Sequence, residues 1–332
     1  GKGYKIAEGQ HEHWHGVGPF NIEDGEFIKK SAEKSATSVF SDALLKLACK
    51  YENIVGVTAA MPSGTGMDKL IKEFPNRFWD VAIAEQHAIT SMAAMAKEGF
   101  KPFVTIYSTF LQRGFDQIIH DVCIMNLPVI FAMDRAGIVG NDGETHQGAF
   151  DISFLRFIPN MVLFAPRDNE TLKYSLDFAY SLNSPCAIRY PRGAFSKLDF
   201  QSSKFELGKS ELLKNGTSNK LFIGYGSGVA KAIEVEKLHK EDIAILDLRF
   251  VKPLDIDTLI NLSKKYDSWY IFSDSCKQGG VLSAILEALS ENSVTNISLK
   301  SFEYDDNFIE HGDTKKVEES LQLLPKQLVN LI

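Results

Sequence analysis

From Ser35 onward the chain alternates short apolar runs with segments of helical period. Val39, Phe40, Ala43, Leu44 and Leu47 fall on one helical stripe within 38–50. Apolar runs at 54–57, 81–84, 103–106, 129–133, 162–164 and 187–190 read as strands, and helical patterns at 85–97, 109–125 and 168–182 lie between them. Strands alternating with helices predict a mostly parallel sheet covered on both faces. Residues 196–220 break the rhythm with a polar stretch ending in Asn215-Gly216, a turn signal. Alternation then resumes, with strands expected at 221–225, 243–248, 269–273 and 296–299 and helices at 229–238, 255–264 and 281–289. The pattern therefore predicts two doubly wound α/β domains. A polar, Gly-rich lead-in occupies 1–32, the first domain 33–195, a connecting segment 196–220 and a smaller second domain 221–332.

Length and composition agree with that division. The 332 residues are 44% hydrophobic and 24% charged, enough for two cores at roughly 150 residues each. There is no run of 18 apolar residues, which argues against a membrane span. Forty-three acids against 36 bases leave a net charge of -7, against a nucleic-acid partner. Cys49, Cys123, Cys186 and Cys276 form no CxxC pair and each sits in an apolar stretch, so all four are expected as reduced core residues in a cytoplasmic protein. The chain starts at Gly1 with no signal-peptide pattern, and it is expected to be a piece of a longer protein.

Several segments can carry chemistry. Gly224, Gly226 and Gly228 follow a strand and open a helix, close to a dinucleotide fingerprint, but the third glycine comes early and the turn reads first as packing. His11, His13 and His15 alternate along an extended segment, yet no nearby cluster completes a closed metal site. Glu85 stands where a strand runs into a helix, at the end of a parallel strand where ligands bind. Taken alone it reads equally as a helix-start acid favoured by the dipole. Phe110, Arg113 and Gln117 share one face of the expected 109–125 helix, suited to stacking on a flat group and clamping an anion, or equally to a core ring beside a surface arginine. The loop 134–151 is rich in glycine and acids and holds His146 and Asp142, both able to handle protons. Arg192 ends the strand at 187–190. Two arginines, a glutamate and a histidine at four strand ends suggest a site for a phosphorylated substrate.

Taken together, AIAEQHA (82–88), YSTFLQR (107–113), DRAGIVG with the following DG and THQGAFD (134–151), and RYPRG (189–193) resemble the 1-deoxy-D-xylulose-5-phosphate synthase family. Its members are thiamine-diphosphate enzymes related to transketolase. The resemblance covers essentially the whole chain, and the lead-in with His15-Gly16-Val17 is similar to that family's interdomain linker. It implies a transketolase-like pyrimidine-binding domain followed by a transketolase C-terminal domain. It further implies that Glu85 hydrogen-bonds the cofactor's aminopyrimidine ring and that Phe110 stacks on it. Tyr107, Arg113 and Arg192 would hold the phosphate of glyceraldehyde 3-phosphate, and His146, Asp142 and His15 would line the substrate channel. The implied reaction joins pyruvate and glyceraldehyde 3-phosphate to 1-deoxy-D-xylulose 5-phosphate with loss of carbon dioxide, for isoprenoid, thiamine and pyridoxal synthesis. A homodimer is implied as well.

One departure stands out: the family's Gly-Asp-Gly motif, which holds Mg2+ and the diphosphate, does not occur in the chain. Oxygen ligands of that kind are needed to bridge a metal and phosphates. They are expected in an N-terminal cofactor domain outside this chain, which alone would be incomplete and inactive. The competing readings are a natural subunit of a two-chain thiamine-diphosphate enzyme (a ketoacid dehydrogenase β chain or a split transketolase) and a catalytically silent binding module. A nicotinamide dehydrogenase rests on the Gly224 turn alone. The second domain is expected to serve dimerisation more than chemistry, with His311 its one residue of interest.

Overall fold

The computed structural model describes residues 1–10, 13–14, 17–28 and 33–332, in two compact units, Gly1–Lys34 and Ser35–Ile332. The first unit is built from turns around an aromatic cluster. Trp14 meets Phe20 edge-on at 4.8 Å between centroids and Tyr4 at 5.3 Å, and the Tyr4 hydroxyl donates to the Ile22 carbonyl at 2.9 Å. An antiparallel bridge joins Phe20 and Phe27. The lead-in therefore has a small apolar centre of its own where an unpatterned segment was expected. His13 packs on Phe27 at 4.9 Å, whereas His11 and His15 lie outside the described residues.

The second unit holds twelve described strands: β1 Ile54–Thr58, β2 Phe78–Asp80, β3 Lys101–Tyr107, β4 Ile130–Ala136, β5 Val162–Phe164, β6 Cys186–Pro191, β7 Glu211–Lys214, β8 Lys220–Gly224, β9 Ala244–Asp247, β10 Phe250–Lys252, β11 Ser268–Cys276 and β12 Ser298–Tyr304. One sheet has the order β10-β5-β6-β4-β3-β1-β2, the other β12-β11-β8-β9-β7. All pairings are parallel except β10 on β5 and β7 on β9, so each sheet ends in one antiparallel edge strand. The expected fold class is borne out. β10 follows β9 of the second sheet in the chain yet completes the first, lacing the two together.

Strand alternation sends successive side chains to opposite faces, and the cores follow from it. Phe103, Ile130, Phe164 and Ile188 point to the face covered by helices Ala36–Lys50 and Asn169–Ser181, against Phe40, Leu44, Leu172 and Leu176. Val104, Phe131, Met133 and Leu163 point the other way, into a core continuous with Leu221, Ile223, Leu246, Trp269 and Ile271 of the second sheet. The remaining face of that sheet packs Phe222, Ile245 and Phe272 against helix Gly228–Leu238. Two buried ionic knots cross between the sheets. Arg189 of β6 pairs with Asp151 at 3.0 Å and with Asp274 of β11; Arg167 pairs with Asp247 of β9 at 2.7 Å and with Glu211 of β7 at 2.5 Å.

Four local expectations need correction. Residues 81–84 are not a strand: β2 ends at Asp80, whose Oδ1 accepts the Ala60 and Ala82 amides at 2.6 and 3.0 Å, and Ala82 turns to a φ of 58°. The expected 109–125 helix is broken into Ser108–Leu111, a 3-10 turn Gln112–Gly114, a turn Phe115–Gln117 and a π-helical stretch Ile118–Cys123. A Cβ on Gly114 would stand 2.1 Å from Ile89 Cδ1, so the break lets this segment press against helix Glu85–Lys97. The polar 196–220 stretch contributes β7 as an edge strand. Cys49 is exposed on the outer face of its helix, while Cys123, Cys186 and Cys276 are buried; all four are unpaired. Among the described residues no helix is long and apolar enough to cross a membrane. The glycines of the 224–228 turn serve packing: a Cβ on Gly228 would meet the Phe272 carbonyl at 1.9 Å, and one on Gly224 the Val229 backbone at 2.4 Å.

Candidate active site

The carboxyl ends of β2, β3, β4 and β6 carry most of the residues singled out from the sequence, as expected for a parallel sheet. Glu85 is the first residue of helix Glu85–Lys97, preceded by Ala84 with no side-chain cap. It is 1% exposed, and its Oε2 accepts from Arg113 Nη1 at 2.6 Å. The Gly114 contact is what brings Arg113 there. Arg113 is itself nearly half exposed, so the pair joins a buried carboxylate to a solvent-facing cation. Glu85 Oε1 carries no hydrogen bond among the described residues.

Tyr107 closes β3, and its ring lies nearly parallel to that of Phe110 at 5.9 Å. His146 meets Phe110 edge-on at 5.0 Å and pairs through Nδ1 with Thr145 Oγ1 at 2.9 Å, while Thr109 Oγ1 donates to the Thr145 carbonyl at 3.1 Å. Those contacts fold the loop after β4 over the ring pair. Tyr107 also carries Arg135, whose guanidinium carbon is 4.0 Å from the ring centroid. Arg135 donates to the Gly64 carbonyl and to Asp134 Oδ1 at 2.8 Å, and Thr37 Oγ1 donates to Asp134 Oδ2 at 2.7 Å. Gly64 has no room for a side chain, since a Cβ would fall 1.8 Å from the Tyr107 hydroxyl. Burial pushes the Tyr107 phenol above its ordinary pKa, with Arg135 pulling it back, so it stays protonated as a donor. Burial likewise pushes the Asp134 carboxyl up against the opposing pull of Arg135.

Arg192 follows β6, pairs with Asp142 at 3.1 Å and donates to the Val139 carbonyl at 2.6 Å. The charges of Asp142 and Arg192 both act on Tyr107, which ties this pair to the ring cluster. Tyr107, Phe110, His146, Asp142 and Arg192 thus form one rim. Arg113 stands with Glu85, and the cation stacked on Tyr107 is Arg135. Sequence reasoning missed Arg135, Asp134, Thr37 and Gly64; the Arg in the DRAG string at a strand end was the available signal. Exposed His311 lies beside the same loop, its Cβ 3.2 Å from where a Cβ on Gly143 would sit. His15 lies outside the described residues.

A two-sheet α/β body with a buried glutamate and a ring pair at the strand ends of its first sheet is the arrangement of transketolase-type pyrimidine-binding and C-terminal domains, and the comparisons agree. Residues 32–197 match the family "Transketolase, pyrimidine binding domain" and residues 208–328 match "Transketolase, C-terminal domain"; the chain belongs to the transketolase family. More particularly, it is 80% identical over its whole length to the 1-deoxy-D-xylulose-5-phosphate synthase of Aliarcobacter butzleri and 62% identical to that of Sulfurimonas denitrificans. It covers 55% of each, so the chain spans about half the length of the curated relatives it matches. Among solved structures, a split gene transketolase described as an inactive beta4 tetramer aligns with a TM-score of 0.79 at 26% identity, covering 89% of this chain and 96% of that one. A Campylobacter jejuni transketolase shares the fold, with a TM-score of 0.71 at 19% identity over 91% of this chain and 47% of that one.

The residues suit the pyrimidine end of thiamine diphosphate: a buried glutamate with one carboxylate oxygen left open to a donor, and a partly buried phenyl ring after the neighbouring strand. They do not extend to its other end. Among the described residues no three His, Cys, Asp or Glu side chains stand together to hold a metal ion.

Proposed function

We propose that this chain supplies the pyrimidine-binding and C-terminal domains, divided at 33–195 and 221–332, of a 1-deoxy-D-xylulose-5-phosphate synthase. The whole enzyme would condense pyruvate with D-glyceraldehyde 3-phosphate, releasing carbon dioxide, for isoprenoid, thiamine and pyridoxal synthesis. The observation that carries the reading is the buried Glu85 carboxylate at the sheet's carboxyl rim, within a chain 80% identical to one such synthase.

Each described residue takes a role its geometry permits, and His15 takes the one the family resemblance implies. Glu85 shares a proton with a ring nitrogen of the cofactor, because a carboxylate removed from water binds a donor strongly. Phe110 stacks on the ring. Bound thiamine diphosphate supplies the nucleophilic carbon and the electron sink, chemistry that protein side chains lack. Tyr107, Arg113 and Arg192, joined by Arg135, hold the acceptor phosphate; a protonated phenol and guanidinium groups are its natural donors. His146, Asp142 and His15 orient the acceptor and move protons. Mg2+ and the diphosphate are held by an N-terminal cofactor domain, the enzyme works as a homodimer in the cytoplasm, and this chain alone is inactive.

Two measurements test this. In the full-length enzyme, Glu85→Ala is expected to abolish condensation of pyruvate with glyceraldehyde 3-phosphate; substantial remaining turnover would remove Glu85 from its role. Calorimetry of this chain alone with thiamine diphosphate and Mg2+ is expected to show no binding. One-to-one binding would mean that the diphosphate cage lies within these residues.

A further inference from the structure

The loop carrying Asp142 and His146 leaves β4 and returns through a neck closed by two hydrogen bonds of 2.8 Å between Gly137 and Gly148. Inside the neck sits Gln147, 4% exposed. Its Oε1 accepts the Val139 amide at 2.7 Å, and its Nε2 donates to the carbonyls of Ile309 and Glu310 at 3.4 and 3.2 Å. Those carbonyls belong to the segment that follows β12 of the second sheet. The same segment bonds the loop again, Gly312 N to the Gly140 carbonyl at 3.2 Å, and a Cβ on Gly140 would meet the Gly312 carbonyl at 2.8 Å. The other end of the Val139 residue, its carbonyl, holds Arg192, which pairs with Asp142.

We infer that Gln147 is a positioning residue. It registers the substrate loop against the C-terminal domain, and through Val139 it sets where Arg192, paired with Asp142, meets the acceptor's phosphate. The task calls for an amide. A buried side chain here must accept one backbone N–H and donate to backbone carbonyls at once, which neither a carboxylate nor an aliphatic chain does. Leaving those groups unpaired in a buried neck disfavours the native register, and small displacements of a positioned cation are costly to binding. The C-terminal domain therefore shapes the site without offering a side chain to the reaction.

The inference rests on the phosphate-binding role proposed for Arg192. It is tested in the full-length enzyme with Gln147→Met, close in volume but unable to make these bonds, and with Gln147→Glu, which keeps the acceptor toward Val139 and loses the donors. Both are expected to raise KM for glyceraldehyde 3-phosphate about tenfold, equivalent to about 1.4 kcal/mol. KM for pyruvate should stay within about twofold, and with unphosphorylated glyceraldehyde as acceptor the effect should largely vanish, because the displaced group is a phosphate contact. Unchanged KM for the phosphorylated acceptor, or an equal loss with both acceptors, would overturn the positioning role. If Gln147→Met does not fold, the split in Gln147→Glu decides. A wild-type enzyme inactive on pyruvate and glyceraldehyde 3-phosphate would instead sink the proposed function.

Discussion

Arg135 offers a test of how the rim is held, independent of catalysis. Its guanidinium is the charged partner of Asp134, whose side chain is fully buried and whose only other side-chain partner among the described hydrogen bonds is the Thr37 hydroxyl. Arg135→Met keeps most of the apolar stem over Tyr107 and removes the charge. Breaking one side of a buried pair costs about 3–5 kcal/mol, because the remaining charge is stranded. Asp134 can escape by taking a proton, and that limits the cost. From the ordinary carboxyl value of 3.8, full protonation at pH 7 costs about 4 kcal/mol at about 1.4 kcal/mol per pH unit, but at pH 5 about 1.6 kcal/mol. In this variant the folded state binds the proton more tightly than the unfolded state, so its stability falls as pH rises above the ordinary carboxyl range. Urea unfolding followed by circular dichroism should show Arg135→Met losing about 4 kcal/mol at pH 7 and less than half of that at pH 5. Adding Asp134→Asn should restore most of the loss at pH 7, with a coupling energy well above the scatter for independent sites. A loss below about 1 kcal/mol at both pH values, or no rescue in the double variant, would refute the argument that Arg135 offsets the burial of the Asp134 carboxylate.

Two further outcomes are expected from packing and burial. Glu303, buried beneath the start of helix Val281–Glu291, accepts the Val281 and Leu282 amides, and burial pushes its carboxyl up to about 7 from 4.5. The folded form thus holds that proton more tightly. Its stabilising contribution is complete below about pH 4.5 and is lost as pH rises toward about 7, by about 3 kcal/mol; the stability difference between wild type and Glu303→Gln should change across that window, and a flat difference would reject the assignment. Phe250 of β10 is fully buried, with its ring 5.3 Å from Phe164 and 5.6 Å from Phe178, so Phe250→Ala should cost about 3–5 kcal/mol in urea unfolding, and a cost below about 1 kcal/mol would show that β10 does not lace the sheets together.

The interior strands were legible because a parallel sheet covered on both faces demands runs such as Ile54–Thr58, buried at every position. Helix Asn169–Ser181 was legible too, its start marked by Asp168, whose Oδ1 caps the Thr171 amide at 2.7 Å. Residues 81–84 misled because apolar composition signals burial and not backbone direction: Ile83 is largely exposed, and the strand had already ended at Asp80. The 109–125 helix misled because its period is interrupted by Gly114, whose role is set by Ile89 on another helix. β10 is three residues long and pairs with β5 some 85 positions earlier, leaving no local signature.

Local sequence determined the buried interior strands and the main helices, and strings with dense chemical constraints, such as those around Glu85, Phe110, His146 and Arg192, pointed to the site, since residue type limits what proton or charge a position can handle. Tertiary structure decided the pairings. Glu85 takes Arg113, Tyr107 takes Arg135, and Gln147 reaches across about 160 residues to Ile309 and Glu310. Hydrogen bonds and ion pairs act over a few ångströms in space, and distance along the chain carries no information about them until the strands are ordered into sheets.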